Sequence, residues 1–261
     1  MKPIRLFDKE AIENFLRSNT WLHIYEIGDL DDFFWPHTIW YGLKENGAIV
    51  HLALFYTVST PPVLLSLTDR HPAGLSQWFQ ALFPLLPDRV YTHLSPGMLP
   101  IFRDHFHLSS SASMNKMALT DPRQPGLVDT TGAEALSRSD LTDLMELYEI
   151  GYPDNAFDPR MLETGCFFGI RRAGKLVSVA GIHVYSPVYR VAALGNVTTH
   201  PDFRRQGLGR AACAALCRFL LQSVDHIGLN VNRQNPQAIG LYEHLGFSVC
   251  APYEEATFSK K

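Results

Sequence analysis

The stretch Asn196-Val197-Thr198-Thr199-His200-Pro201-Asp202-Phe203-Arg204-Arg205-Gln206-Gly207-Leu208-Gly209-Arg210 decides the fold. A strand ends near Thr199, Pro201 breaks it, and Gly207 and Gly209 open a helix predicted to run to about Val224. The apolar stripe of that helix takes in Leu208, Ala212, Ala215, Leu216, Phe219 and Leu220, with Arg210, Arg218 and Gln222 on the polar face. Its first turn carries unpaired N–H groups and the positive end of the macrodipole. Glycines there let backbone approach a phosphate, and Arg204, Arg205 and Arg210 add charge beside it. The residues read as a pyrophosphate cradle; the alternative is a glycine-rich helix start with solvated arginines.

Two nucleotide motifs compete for this run. A Walker loop needs Gly-Lys-Ser/Thr, which is absent. Gly207-x-Gly209-x-x-Ala212 has the form of a dinucleotide fingerprint. However, a long polar loop separates the strand from the first glycine, and Asn230 and Asn232 stand where an acidic residue belongs.

Toward the C-terminus, Asn235 suits an N-cap and Pro236 the first helical position. Ala238, Leu241, Tyr242 and Leu245 then share one face, so Tyr242 points inward. Periodicity alone would make it a core aromatic. Gly246 fits the C′ position. A last strand is expected near 248–251 or 256–259. Toward the N-terminus, a helix over about 139–150, capped by Ser139 or Asp140, precedes a polar loop and a short helix near 159–163. Strands follow at 166–171, 176–185 and 189–199. Together with a strand at 227–231, these elements imply a mixed sheet covered by helices.

Residues 121–132, with two prolines and two glycines, read as a linker between halves at 1–125 and 130–261. The halves echo each other. Residues 40–50 align without gaps on 167–177, each reading strand, Gly-containing turn, strand. Residues 95–102 align on 235–242, which sets Phe102 opposite Tyr242.

Composition bounds the rest. The chain has 261 residues, 46% hydrophobic and 19% charged, with a net charge of −3. That is ample core for roughly two domains. It lacks the basic field of a nucleic-acid binder. Four cysteines with no CxxC, and histidines with no HExxH, give no metal site. Cys213 and Cys217 read as small core residues. With no long apolar run and no signal-like start, the expected setting is cytoplasmic, with no membrane partner.

The whole arrangement resembles the GNAT superfamily of acyl-CoA-dependent N-acyltransferases. Arg204-Arg205-Gln206-Gly207-Leu208-Gly209 fits its Gln/Arg-x-x-Gly-x-Gly/Ala signature, and Asn235, Ala238, Leu241-Tyr242 and Gly246-Phe247 fit its second motif. The match covers about residues 135–261. The resemblance implies an α/β (α+β) fold of tandem GNAT-like halves, each a mixed, mostly antiparallel sheet flanked by helices, with the first half degenerate. It implies transfer of an acetyl group from acetyl-CoA to an amine, expected to be a small molecule, by direct attack. The pantetheine arm would bond the backbone of Val197 and Thr199, with Thr198 between them. Amides of Arg205, Gln206, Gly207, Leu208, Gly209 and Arg210, beside Arg204, would hold the pyrophosphate. Asn235 counts among the cofactor-binding residues, an N–H near Val197 would face the oxyanion, and Tyr242 would be the general acid.

The strand departs from the family in having Asn196 and no acidic residue. His183, Glu149, Asp154 and Glu163 are the scattered candidates for a base, and none is assigned. The first half keeps only Gly74 of the phosphate loop, and Phe102 cannot give a proton. Residues 31–37, rich in aromatics, fit either an acceptor wall or core. A non-catalytic acyl-CoA sensor is the alternative function.

Overall fold

A computed structural model describes residues 2–261. In chain order its main elements are β1 (Ile4–Leu6), α1 (Lys9–Leu16), α2 (Ile24–Gly28), β2 (Thr38–Glu45), β3 (Ala48–Tyr56), β4 (Val63–Ser66), α3 (Leu75–Leu82), β5 (Arg89–Leu94), α4 (Leu99–Arg103) and β6 (Phe106–Leu119). Then come β7 (Ala133–Ala135), α5 (Leu141–Gly151), β8 (Phe168–Arg172), β9 (Lys175–Ser186), β10 (Val191–Thr199), α6 (Leu208–Leu220), β11 (His226–Asn232), α7 (Pro236–His244) and β12 (Phe247–Lys260).

The chain divides into two compact units. The first is the chain up to Lys116 with Asn232–Gln234 and Cys250–Lys261; the second is Met117–Val231 with Asn235–Val249. This differs from the simple division at the linker. The C-terminal strand is one continuous element rather than a piece near 248–251 or 256–259. From Cys250 onward it belongs to the first unit, where Glu254–Ser259 pair antiparallel with Leu94–Arg89. A strand edge is completed by whichever segment supplies backbone partners, and sequence proximity does not decide that.

In the first unit the strand order is β1-β2-β3-β4-β5-β12-β6; in the second, β11-β10-β9-β8-β7. β1–β2, β2–β3, β3–β4, β5–β12, β7–β8, β8–β9 and β9–β10 pair antiparallel, while β4–β5 and β10–β11 run parallel. Each parallel pair is joined through a helix, α3 or α6, as a parallel crossover requires. α6 lies on β8, β9 and β10 and buries Leu208, Ala212, Cys213, Leu216, Cys217 and Leu220. It stops at Leu220, short of the expected Val224, because residues 221–223 form a turn. Burial pushes the Cys213 thiol up to about 12, as suits a core residue. Of the two expected caps of α5 the structure uses Asp140, but its carboxylate makes no bond into α5; it closes a reciprocal capping box with Ser137 over the preceding turn Arg138–Asp140.

Both units repeat one local design. The β2–β3 turn has Asn46 and Gly47 at positive φ (49° and 85°), and the β8–β9 turn has Ala173 and Gly174 at 49° and 81°. These are the paired left-handed residues of a two-residue hairpin, at aligned positions. The register shift falls between Leu43 and Lys44 in one and between Ile170 and Arg171 in the other, again aligned. A Cβ on Gly42 would come within 2.9 Å of Leu6, and one on the aligned Gly169 within 3.0 Å of Leu136. α3 and α6 both start on a left-handed glycine, Gly74 at φ 76° and Gly207 at φ 79°.

The units part at the parallel pair. β4 stays paired with β5 to its last residue, Ser66 against Leu94. β10 pairs with β11 only as far as Leu194 against Leu229, and its last five residues go on without that partner.

Candidate active site

The divergence of β10 has a local cause. Between Gly195, opposite Gly181, and Thr198, opposite Val179, the two residues Asn196 and Val197 face Ala180 alone. Asn196 takes φ 53°, a left-handed conformation that asparagine tolerates better than most residues. One extra residue bends and twists a strand, which here turns the end of β10 away from β11. Gly195 is needed at this point: the His183 ring lies over it, and a Cβ there would be 2.0 Å from the ring. His200 donates its N–H to Val177 on β9. Successive residues of a strand alternate in direction. Thr198 therefore faces β9 with its backbone, as its contact with the Ser178 hydroxyl agrees (3.4 Å), while Val197 and Thr199 turn theirs into the opening.

The loop after β10 carries the arginines, and the structure separates their roles. Arg204 folds back: its Nε donates to Thr199 O at 3.0 Å and a terminal nitrogen to Gly151 O at 3.3 Å. It ties the strand end to the end of α5. Gln206 Nε2 is turned toward Asp202 O (3.5 Å). Arg205, itself left-handed at φ 62°, and Arg210 are exposed and make no ion pair among the described residues. Gly207 then caps α6 with no side-chain hydrogen bond. The amides of Leu208, Gly209 and Arg210 thus have no helical acceptors behind them. Gly209 is tight: a Cβ would meet Thr199 Oγ1 at 3.2 Å and Leu241 at 3.5 Å. The donor set is backbone N–H groups, a helix start and two uncommitted guanidinium groups. Such a set fits a pyrophosphate.

α7 follows β11. Asn235 caps it, its side-chain oxygen accepting from Ala238 N at 3.0 Å, which leaves the amide nitrogen and the oxygen's second lone pair for any further ligand. Tyr242 is 8% exposed, packs edge-on against Phe247 and joins the core cluster of the second unit. Its counterpart Phe102 is fully buried among Phe79, Phe83 and Phe258.

The scattered base candidates do not gather into one group. Glu163 meets Arg138 at 3.4 Å. Glu149 and Asp154 are exposed. Glu149, with Glu146, edges a cavity of about 610 Å³ along α5, walled by Met145, Tyr148, Pro153 and Asn155. At the strand divergence itself stand two amides, Asn196 and Asn230, each with a buried side-chain oxygen that finds no partner among the described residues. An amide accepts hydrogen bonds but takes no proton near neutral pH.

Tyr148 on α5 is 1% exposed and donates its hydroxyl to Asn196 O at 2.8 Å. Its helical period marked it as core, but nothing in the spacing indicated a partner on β10.

The site thus stands on a mixed sheet whose parallel pair opens beside a glycine-started helix. The Acetyltransferase (GNAT) family matches residues 133–247. The [Ribosomal protein bS18]-alanine N-acetyltransferase of Escherichia coli K12 is 34% identical over 121 residues, 43% of this chain and 80% of the relative. Among solved structures, a Drosophila protein superposes with a TM-score of 0.72 at 12% identity over 98% of both chains. A tandem GNAT protein from the clavulanic acid biosynthesis pathway superposes with a TM-score of 0.57 at 15% identity, over 98% of this chain and 97% of that one. The chain belongs to the GNAT acetyltransferase family, and its enzyme class is acyltransferase.

Proposed function

We propose that the second unit transfers an acetyl group from acetyl-CoA to an amine, and that the first unit is a non-catalytic copy. The observation that carries this reading is the opening of β10 from β11 beside the left-handed Gly207. That opening leaves the backbone of Val197 and Thr199 without strand partners. A pantetheine arm can occupy the place of a strand there, bonding main chain rather than side chains. Arg205, Arg210 and the amides of α6 would take the pyrophosphate. Arg204, committed to Thr199 and Gly151, would shape the loop rather than grip the ligand.

The reaction follows from the groups at hand. The amine lone pair attacks the thioester carbon, and the carbonyl oxygen gains charge facing the Val197 N–H. The carbon–oxygen double bond re-forms as the carbon–sulfur bond breaks. Tyr242 gives its proton to the departing thiolate, and the proton lost by the new amide nitrogen returns through solvent to the phenolate. With amides rather than carboxylates at the divergence, the amine enters already neutral. kcat/KM is therefore expected to rise with pH until the acceptor's own amine is deprotonated, a trend a pH profile reads directly. Glu146 and Glu149 beside the α5 cavity favour an acceptor with a second, cationic group separate from the neutral amine that reacts. The E. coli relative's ribosomal-protein alanine supports adding peptide N-termini to the small amines expected from sequence.

An amine panel with acetyl-CoA, read by thiol release, tests the reading; no turnover above hydrolysis, with CoA still bound, would favour the sensor instead. Calorimetry is expected to give one CoA per chain. In the first unit β4 never leaves β5 and Phe102 replaces the acid, so a second CoA near Gly74 would overturn the division of labour.

A further inference from the structure

We infer that Tyr148 is a positioning residue for the oxyanion donor, its hydroxyl fixing the peptide plane that carries the Val197 N–H. The inference rests on the proposed acetyl transfer and on Val197 as that donor.

The Asn196 carbonyl and the Val197 N–H are two ends of one peptide unit. A trans peptide is planar, and its C=O and N–H point in opposite directions. Whatever holds the carbonyl therefore aims the N–H. Tyr148 OH holds that carbonyl at 2.8 Å, with both residues buried, 1% and 2% exposed. The plane lies at a register shift of the ladder. Neighbouring residues are kept in place by pairing with β9, but Asn196 and Val197 sit in the bulge, two residues against Ala180. A second hold comes from the Asn196 side chain, whose Nδ2 donates to Ile182 O at 3.2 Å. That bond fixes the side chain and leaves rotation of the following peptide to be set by Tyr148. The hydrogen bond also polarises the peptide, strengthening the N–H as a donor. Burial, with a smaller contribution from Tyr152, pushes the Tyr148 phenol well above its ordinary range, so the hydroxyl remains a donor across the working pH.

The arrangement has a consequence for coupling. Tyr148 also walls the α5 cavity. A ligand pressing there touches the residue that aims the donor, so α5 and β10 share one hydrogen bond between the cavity and the strand divergence.

The test needs no acceptor. The carbonyl stretch of enzyme-bound [1-¹³C]acetyl-CoA reports its hydrogen bond to the donor. The wild-type protein is expected to shift the band to lower frequency than in solution. Tyr148→Phe is expected to lose at least about half of that shift, with acetyl-CoA affinity changed less than about threefold. Site-specific 3-fluorotyrosine at position 148 keeps the hydroxyl and makes it a stronger donor, and is expected to enlarge the shift. It also keeps the test decisive if the Phe variant fails to fold. A full shift in a folded Phe variant, or none of the enlargement in the fluorotyrosine protein, overturns the positioning role. Absence of any shift in the wild type overturns Val197 as the donor, which is a failure of the underlying assignment and is distinguishable from the other two results.

Discussion

Tyr242→Phe is expected to lower kcat by about 10²–10⁴, the range typical of a lost general acid, while acetyl-CoA affinity changes little. The hydroxyl acts on sulfur only as the thiolate forms, so its contribution falls on the transition state. The fold is expected to survive, because Phe keeps the ring that packs edge-on against Phe247, and the first unit already buries Phe102 at the matching position. Single-turnover rates are the measurement of choice, since product release can hide a slower chemical step. An unchanged single-turnover rate in the Phe variant removes Tyr242 from the chemistry and returns it to the core, where its period alone put it.

Particular residues show how far the sequence carried the argument. The helix opening at Gly207 was legible from the glycines after the strand break; the left-handed φ of 79° there, and of 76° at Gly74, is what the structure adds. The tandem design was legible because two hairpins with aligned glycines need no tertiary information. The pairing of β12 with β5 was not, because partner choice along a sheet edge depends on long-range topology. Nor was the bulge at Asn196. Asparagine in a strand weakens the pattern without saying whether it turns left-handed, and here Tyr148, far away in sequence, holds the resulting carbonyl.

The first unit hides a further example. On β6, Lys116 is 2% exposed, its ammonium 4.7 Å from the Tyr25 ring centre and 5.3 Å from that of Tyr253. Burial alone would raise the nearby Glu26 carboxyl; His23, at 3.2 Å, and Lys116 hold it below its usual value. A buried charge becomes tolerable only with its partners in place, and those come from α2 and β12, which no local window contains.

Gly207→Val is expected to weaken CoA binding at least about tenfold, and Gly74→Val supplies the control. Both glycines precede a helix in the left-handed region, where a side chain costs roughly 1–2 kcal/mol and a β-branched one is least tolerated. Either substitution should therefore lower the melting temperature by a similar amount. Only at Gly207 should affinity fall. A Cβ there enters open space, its nearest neighbour being the Arg210 guanidinium at 4.0 Å, so the protein itself does not forbid it. That space is where a phosphate would meet the amides of Leu208, Gly209 and Arg210, and relief of the strain would rotate those amides out of line. Arg205 and Arg210 remain in the variant, so the loss measures backbone approach rather than charge. A calorimetric Kd unchanged in a Gly207→Val protein that still melts cooperatively would withdraw the cradle from this helix start.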